Sequence, residues 1–433
     1  MIEVEFFIFV AVLIALFMGG MPVAFALGIT GLVLLQILWG GSLNFGIVAQ
    51  RLLYGANNFV ILAIPFFILA GKLMNTGGIT KRIFKFADVL VGHMNGGLGQ
   101  VNVVASMIFA GMSGLAAADT AGLGIVEIKA MRDAGYDDDF SCAITGASSI
   151  IGPIIPPSVP LVIYGILANV SIGRLLIGGI IPGVLVGICL MIMVSIYAKR
   201  KGYPKRPKSS AKEIWQAFQE AIGAMLTPVI LIGGILTGVF TPTEAAAMAA
   251  IYALILGCFV YREISLADFW RILKETTRET ATITFIISCA TFYGWVLIRS
   301  RTPIILLEFI TGISTNPLVV LLLLNIFLLI IGCFMESIAA LGILVPTITP
   351  LILKVGIDPL HFGLVMVLNL MIGLLTPPFG MNLFILNKIT GIPSTRIARA
   401  CLPFFIPLFA ALIAITLFPP VVTFLPDLLL GSR

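Results

Sequence analysis

The stretch GPIIPPSVP, residues 152–160, places four prolines and a glycine inside a long apolar run. Proline lacks a backbone N–H donor and interrupts a helix. Lipid tolerates interrupted backbone only where it is buried in protein or lines a wet cavity, because unsatisfied polar groups are costly in hydrocarbon. The stretch therefore predicts a broken helix buried inside a membrane protein.

The composition of the whole chain favours a membrane protein. Of its 433 residues, 59% are hydrophobic and 11% are charged, whereas soluble domains carry about 25% charged residues. Apolar windows long enough to cross a bilayer recur from Phe6 to Leu425, which predicts an all-α polytopic membrane protein. The N-terminal segment has Glu3 and Glu5 where a signal peptide would be basic, so it is predicted to be the first span.

Cysteine, histidine and net charge argue against several other classes of protein. The six cysteines are scattered singly through apolar segments and are predicted to be small buried hydrophobes, not a disulfide or metal framework. The two histidines, His93 and His361, are too few for a histidine-rich metal site. The net charge of +6 is spread over loops, so no nucleic-acid partner is expected.

Basic residues predict how the chain lies in the membrane. The densest basic stretch, AKRKGYPKRPKSSAK at residues 198–212, contains two prolines and is predicted to be a cytoplasmic loop. Smaller basic clusters around Lys81, Arg271 and Arg396 are expected on the same side, which puts both termini in the periplasm. Two segments, EIWQAFQEAI and SLADFWRILKETTRE, have amphipathic helical spacing and are predicted to lie along the membrane interface.

The two halves of the chain resemble each other. Adding 221 to positions in the first half reaches matching residues in the second half without a gap. The matched pairs are Gly111 and Gly332, Gly135 and Gly356, Asp137 and Asp358, Gly152 and Gly373, Pro156-Pro157 and Pro377-Pro378, and Pro182 and Pro403. Most of these are helix breakers, which argues against the alternative of a duplicated bundle with no transport role. An odd number of crossings would invert the copies, and inverted repeats are typical of secondary transporters.

The predicted organisation has three parts. They are a first inverted repeat at 1–197, a basic cytoplasmic loop with an amphipathic helix at 198–221, and a second inverted repeat at 222–433. Each repeat is predicted to contain a re-entrant hairpin and a broken helix. The hairpins are expected at about 97–130 on the cytoplasmic side and about 317–353 on the periplasmic side, and the broken helices at about 141–167 and 362–389.

The breaks are candidate sites for a cation and an anion. Proline frees carbonyl oxygens one turn upstream, and Ser148, Ser149 and Thr376 add hydroxyl oxygens beside them. Neutral hard oxygens at mid-membrane suit Na⁺. The half-helix after each Pro-Pro pair points a positive dipole end into the gap, which favours an anionic substrate. The alternative for such a motif is a simple kink.

Upstream of each break, two apolar arms too short to span flank a small or polar tip, a pattern that predicts a re-entrant hairpin. The tip residues are Gly111, Ser113 and Gly114 in the first copy, and Gly332, Glu336 and Ser337 in the second. Asp119 and Glu336 are acids within these hairpins, and intramembrane acids are functional candidates by default. The alternative is that each caps a hairpin helix.

Four stretches carry a resemblance to a known family: GASSIIGPIIPPSVPLVIYG, FTPTEAAAMAAIYALIL, GMSGLAAAD and GLLTPPFGMNLFIL. The chain resembles, over essentially its whole length, the large membrane subunit of tripartite ATP-independent periplasmic (TRAP) transporters. The resemblance implies an elevator-type, Na⁺-coupled importer of organic acids such as C4-dicarboxylates or sialic acid. It also implies a bacterial inner-membrane location and two partners, a small four-helix membrane subunit and a periplasmic substrate-binding protein.

The resemblance also implies site residues. The first Na⁺ site would involve Ser113, Ser149, Gly152 and Pro156, and the second Gly332, Gly373 and Thr376. Ser158, Glu336 and Asn382 would lie toward the substrate, together with Ser337 at the second tip. Two departures concern the substrate contacts: Leu115 stands where many relatives have a small hydroxyl residue, and Glu336 stands where relatives often have Asp.

Two rival functions are weighed against transport by a tripartite system. GMSG at 111–114 fits the Gly-x-Ser-Gly pattern of rhomboid-type intramembrane proteases, but a serine nucleophile needs a histidine base. His93 and His361 lie at polar segment edges, so an enzyme is not expected. A stand-alone Na⁺/carboxylate carrier is the second rival. A channel is disfavoured by the hairpin-bearing repeats, and ATP drive by the lack of a G-x-x-x-x-G-K-[ST] loop in this sequence.

Overall fold

The structure is a computed structural model that describes residues 12, 15–16, 21–38, 45–57, 59–299, 312, 314–377 and 380–431. Within these ranges all regular secondary structure is helical. The predicted all-α fold class is therefore confirmed. The segment predicted to be the first span lies mostly outside the described residues.

The helices are numbered in chain order. In the first half they are α1 Val23–Leu38, α2 Phe45–Ala56, α3 Ala63–Thr76, α4 Ile79–Val91, α5 Gly97–Ser113, α6 Ala116–Ala121, α7 Leu123–Asp133, α8 Asp138–Ser149, α9 Val159–Ala168, α10 Ile172–Gly178 and α11 Ile180–Lys201. In the second half they are α12 Ala211–Leu236, α13 Pro242–Ile255, α14 Leu266–Arg299, α15 Pro317–Phe334, α16 Ser337–Val355, α17 Pro359–Gly373, α18 Met381–Thr390, α19 Ser394–Leu417 and α20 Pro420–Leu430.

The lengths of these helices fit a polytopic membrane protein. In the described part of the chain, eight helical segments of 18 to 32 residues are long and apolar enough to cross a membrane. The shorter apolar helices, of 10 to 17 residues, include the hairpin arm α5 and the half-helices α9 and α17. The half-helices are too short to span alone, as expected of broken helices. The arms of the second hairpin, α15 and α16, are 18 and 19 residues long and belong to the eight, so the prediction that both of these arms are too short to span is wrong.

The first break has the predicted form. Helix α8 ends at Ser149 and α9 begins at Val159, so most of the proline-rich stretch lies between them. The Ser158 hydroxyl accepts a hydrogen bond from the Leu161 N–H at 3.2 Å and thereby caps α9. Pro160 stands in the first turn of α9, where its missing N–H has no helical partner to lose.

The second break lies at the corresponding place. Helix α17 ends at Gly373 and α18 begins at Met381. The start of α18 lies next to the end of α17, since the Asn382 N–H donates to the Leu374 carbonyl at 3.2 Å. Pro378, the second proline of this break, lies outside the described residues.

The helix bounds repeat with the offset seen in the sequence. Subtracting 221 from α15 gives 96–113, against 97–113 for α5, and subtracting it from α18 gives 160–169, against 159–168 for α9. Helix α16 shifts to 116–134, which α6 and α7 cover together with a break at Gly122. The duplication therefore extends to secondary structure. The inverted orientation of the copies stays a prediction.

The two amphipathic segments differ from the prediction. EIWQAFQEAI is the first part of α12, a single helix of 26 residues, and SLADFWRILKETTRE opens α14, a helix of 34 residues. Gly223 follows the first segment directly and Pro228 lies further along α12, yet neither ends the helix, so helical hydrogen bonding continues into the apolar part. Separate helices along the interface are therefore not seen. The basic loop itself is present as the non-helical stretch between α11 and α12.

The helices form two groups. The core group contains both hairpins and both broken helices, in α5–α11 and α15–α20, and the outer group contains α1–α4 and α12–α14. The first hairpin meets the outer group where α5 packs on α3, α4 and α12. The second meets it where α16 packs on α14 and α1. Each repeat contributes helices to both groups.

Glycines bring the two groups into backbone contact. A Cβ added to Gly71 of α3 would lie 3.3 Å from the Ser113 Cα at the first tip. A Cβ on Gly342 of α16 would lie 3.1 Å from the Ala290 Cβ of α14. Small residues at such contacts allow close helix packing in membranes, so the hairpins lie tightly against the outer group.

The orientation of the repeats can be tested with a matched pair of cysteines. Asp133 and Lys354 are exposed, end the same hairpin arm in the two copies, and differ by the offset of 221. Asp133→Cys is expected to react with a membrane-impermeant maleimide from the cytoplasmic side and Lys354→Cys from the periplasmic side. The unmodified chain is the control for its own six cysteines. Labelling of both variants from one side would contradict inversion.

Candidate functional site

The first hairpin tip touches the first break. Gly114, between α5 and α6, has a φ of +65°, a conformation that favours glycine. A Cβ there would lie 2.6 Å from the Pro157 carbonyl oxygen. The Gly114 carbonyl accepts a hydrogen bond from the Val159 N–H at 3.3 Å. The tip therefore covers the start of α9 and satisfies part of the interrupted backbone.

A buried acid stands at this contact. Asp119 is 2% exposed and its Oδ1 accepts a hydrogen bond from the Ser113 hydroxyl at 2.6 Å. Its Oδ2 has no hydrogen-bond partner among the described residues. A Cβ on Gly152 would lie 2.9 Å from that oxygen. Glycine is thus needed at 152 for the free carboxylate oxygen to reach the break.

The other predicted residues of the first site lie around the same contact. The Ser149 carbonyl accepts a hydrogen bond from the Gly152 N–H at 3.2 Å. The Pro156 carbonyl oxygen lies 3.9 Å from the position of a Cβ on Gly111 of the tip. The structure therefore brings hydroxyl, carbonyl and carboxylate oxygens of the first repeat to one tip and one break.

The second tip and break meet through two glycines. A Cβ on Gly373 would lie 2.4 Å from the carbonyl carbon of Gly332. The Thr376 hydroxyl donates to the Ile372 carbonyl at 3.0 Å, and its oxygen keeps lone pairs free to accept or coordinate. All three residues predicted for the second Na⁺ site are therefore at or next to this contact.

Glu336 and Ser337 are engaged within the second tip. The Glu336 carboxylate accepts from the Ile338 and Ala339 N–H groups at 2.9 and 3.2 Å, and so caps α16. The Ser337 hydroxyl donates to the same carboxylate at 2.8 Å. The capping alternative thus describes Glu336, whereas their predicted role as substrate contacts stays a prediction.

The two repeats meet at Asn382. Its side-chain N–H donates to the Ser149 hydroxyl at 3.0 Å, joining α18 of the second repeat to α8 of the first. Asn382 is fully buried, and its Oδ1 has no partner among the described residues. Ser158, by contrast, uses its hydroxyl to cap α9 and to donate to the Pro153 carbonyl. Of the predicted substrate residues, Asn382 keeps a free acceptor at the junction.

The available ligands suit Na⁺ better than a transition metal. Among the described residues, no three histidine, cysteine, aspartate or glutamate side chains converge. The contacts between tips and breaks supply hydroxyl and carbonyl oxygens instead, with a single carboxylate in the first repeat. Hard oxygen ligands of low total charge fit a monovalent hard cation.

Sequence reasoning singled out Asp119 as an acid but left it out of the Na⁺ site. The structure puts it between Ser113 and Gly152. Its signal was an acid in the small-residue arm that follows the tip. Ser113 bonds to this acid rather than to a histidine, and the His361 Nε2 bonds the Ile415 carbonyl at 2.8 Å. The protease arrangement is therefore missing.

Comparisons with known proteins agree with this architecture. Residues 10–421 match the family described as the tripartite ATP-independent periplasmic transporter, DctM component. The sialic acid TRAP transporter large permease protein SiaM of Vibrio cholerae is 50% identical over 96% of this chain and 97% of its own. The sialic acid permease SiaT of Haemophilus influenzae is 43% identical over 96% of this chain and 67% of its own. The C4-dicarboxylate permease DctM of Pseudomonas aeruginosa is 38% identical over 93% of this chain and 94% of its own.

A solved structure is similar in fold. The YdaH transporter of Alcanivorax borkumensis superimposes with a TM-score of 0.62 at 13% identity, over 86% of this chain and 87% of that one. At this identity the likeness supports the fold alone.

The glycine contact of the second repeat can be tested by adding one methyl group. In Gly373→Ala the new Cβ would overlap the Gly332 backbone, so the tip and the break must separate. Overpacking of this kind costs about 1–3 kcal/mol, and we expect the Na⁺ concentration that half-protects the protein against thermal denaturation to rise roughly tenfold. Gly233→Ala is the control, because nothing lies within 4 Å of a Cβ there. Equal Na⁺ titrations of the two variants would contradict the assignment.

Proposed function

The chain belongs to the family of DctM components of tripartite ATP-independent periplasmic transporters, and on this premise we propose that it imports an organic acid together with Na⁺. It is a large permease and a multi-pass membrane protein, not an enzyme. The observation that carries the proposal is that each hairpin tip lies against the break of its own repeat.

Sialic acid is the substrate to test first. The Vibrio and Haemophilus relatives are named for sialic acid, and the Pseudomonas relative for C4-dicarboxylates. Both classes are carboxylates. The positive dipole ends of α9 and α18 would favour a carboxylate through their field, since N–H groups at the start of both helices already donate within the protein. Asn382, at the junction of the repeats, supplies neutral hydrogen-bonding groups for the same ligand.

Coupling to Na⁺ follows from what a cation would do at each contact. In the first repeat it would compensate the Asp119 carboxylate and bind oxygens of Ser113 and the break. In the second it would bind carbonyl oxygens near Gly332 and Gly373 together with the Thr376 hydroxyl. Each ion would hold a tip to its break and so complete the substrate site between them. The free energy of Na⁺ binding would therefore favour the arrangement in which tip and break are joined, and an empty site would lack this contribution.

The transport movement we propose is an elevator. The core group would carry the site across the bilayer as one body while the outer group stays fixed. The division of each repeat into helices of both groups supports this assignment. The close glycine contacts at the boundary, such as Gly342 against Ala290, would have to slide or separate during the movement.

The family description is tripartite, which implies partners. We propose a small four-helix membrane subunit and a periplasmic substrate-binding protein, with the assembly in the bacterial inner membrane and both termini periplasmic. The match covers only 67% of SiaT of Haemophilus influenzae and 63% of a relative named DctMQ from Oleidesulfovibrio alaskensis. Their additional length leaves room for a fused second component.

The test is uptake of radiolabelled sialic acid into proteoliposomes that contain the chain with both partner proteins. We expect uptake with an inward Na⁺ gradient and loss of nearly all uptake when K⁺ replaces Na⁺. C4-dicarboxylates are the competing substrates. Uptake that is unchanged without Na⁺ would overturn the coupling, and full uptake without the partner proteins would favour the stand-alone carrier.

The elevator can be tested by locking the boundary between the groups. Gly342→Cys and Ala290→Cys, combined with Cys289→Ser, place two thiols across α16 and α14 at a distance that a disulfide can close. Oxidation is expected to lower the rate of uptake at least tenfold, because the disulfide prevents the two groups from shifting. Reductant is expected to restore uptake.

The control disulfide lies within the outer group. Gly28→Cys would put its Cβ 3.7 Å from the native Cys289 sulfur, joining α1 to α14. Oxidation of this variant is expected to leave uptake near the wild-type rate. Normal uptake by the cross-linked Gly342 and Ala290 variant would rule out a shift of α16 against α14.

A further inference from the structure

The core group buries a second acid that the proposed transport mechanism does not use. Glu127 lies on α7 and is 1% exposed. Its Oε2 accepts a hydrogen bond from the Asn102 side chain at 2.7 Å, and its Oε1 has no partner among the described residues. A buried carboxylate without a cationic partner is strongly disfavoured, so its charge must be compensated.

Among the described residues, none near Glu127 supplies that compensation. Helix α5, which carries Asn102, has no ionisable side chain, and α6 contributes only Asp119, another acid. On α7 itself Lys129 and Asp133 are exposed. On α4 and α8, Lys81 is exposed and Cys142 is a buried thiol. The other ionisable groups of these two helices form ion pairs with residues elsewhere: Arg82 with Glu263, Lys85 with Glu220, Asp88 with Arg206, Asp138 with Arg132 and Asp139 with Arg396.

The second repeat shows that the acid is not required by the fold. The position that corresponds to Glu127 is Ile348, which is 1% exposed in α16. The position that corresponds to Asn102 is Leu323, and that of Thr145 is Met366. The same hairpin arm therefore packs with apolar residues in the other copy. An acid kept at such a cost has a role beyond packing.

The ligands around Glu127 fit a proton better than a metal ion. The side-chain amide of Asn102 donates both of its N–H groups, one to the Glu127 carboxylate and one to the Thr145 hydroxyl at 2.8 Å. A bound cation would need the amide oxygen instead, but that oxygen accepts from Ser148 at 2.6 Å. A proton needs only the free Oε1, and the resulting carboxylic acid is neutral.

We propose that Glu127 is a proton-binding site of the core group, separate from the Na⁺ sites. The proton comes from water and binds to Oε1, which converts the carboxylate to a carboxylic acid. The buried arrangement seen in the structure is the protonated one. Releasing the proton would leave a charge with no counter-ion, and the helices around α7 would have to admit water to it.

A chain of hydrogen bonds ties this site to the first break. The Ser106 hydroxyl donates to Ser148 at 3.0 Å, and Ser148 donates to Asn102, which in turn bonds Glu127. Ser148 precedes Ser149, the residue that bonds Asn382 of the other repeat. Proton loss would therefore disturb the junction at which substrate is proposed to bind, and this part of the inference rests on the proposed function.

The test compares Glu127→Gln, which mimics the neutral acid, with Asp133→Asn, which removes an exposed charge from the same helix. The complete transporter, labelled with ¹³C-glutamate, is titrated by infrared spectroscopy. We expect the C=O band of a protonated glutamic acid in the wild type at neutral pH, its loss in Glu127→Gln and its retention in Asp133→Asn. In proteoliposomes, wild-type uptake should fall with rising pH by up to about tenfold per unit, as for one proton, whereas Glu127→Gln should show a flat profile.

The infrared result needs no transport, so it separates this inference from the proposed function. A wild type without the labelled band would overturn the proton site, even if Glu127→Gln failed to fold. A band that persists in Glu127→Gln would also overturn it, because the proton would then belong to another glutamate. Equal pH profiles of wild type and Glu127→Gln would overturn the link to transport.

Discussion

The structure depends on one constraint: every backbone polar group inside the lipid must find a partner within the protein. The two breaks interrupt helical hydrogen bonding inside apolar segments, and the hairpins supply partners for part of the backbone that is left unpaired. The first tip does so directly, since the Gly114 carbonyl accepts the Val159 N–H at the start of α9. Side chains complete the task, as when Ser158 caps the same helix. Each break and its hairpin therefore form one structural unit, and neither would be stable in lipid without the other.

Glycine residues determine how closely each hairpin tip can approach its break. Gly332 and Gly373 meet backbone to backbone, and Gly152 leaves space for the free oxygen of Asp119. A side chain at any of these positions would lie closer to the opposite atoms than an ordinary van der Waals contact, so the tip and the break would have to shift apart. The same property holds between the groups, where Gly342 lies on Ala290. Close approach thus brings each tip onto its break inside the core group and packs helices together at its boundary.

The two copies share their backbone but not their charge. The first repeat buries two acids, Asp119 and Glu127, in the hairpin arm whose counterpart carries Ala340 and Ile348. In the second hairpin the acid is Glu336 at the tip, where N–H groups and a hydroxyl donate to it, and the neighbouring helices keep a neutral network in which Asn369 donates to Asn325 at 2.6 Å. No ion pair of the described residues involves either buried acid. Among the described residues, a duplicated fold therefore carries two buried acids with an unpartnered oxygen in one copy only.

Much of the fold could be predicted from the sequence because the signals are local. Proline chemistry located both breaks, apolar length indicated short arms in the first hairpin but not correctly in the second, and a constant offset revealed the repeat. The site was predicted less completely. The bond between Asn382 and Ser149 joins residues 233 positions apart, and no pattern along the chain indicates that pairing. Asp119 could be suspected as an acid, but its place against Gly152 follows from how the tip packs on the break. The sequence by itself determined where the two broken helices stop, since clustered prolines and glycine remove helical hydrogen bonds within one turn, whereas single prolines lie inside α12, α16 and α19. Only the tertiary structure decided which freed oxygens meet, because that depends on how the hairpins pack against the broken helices.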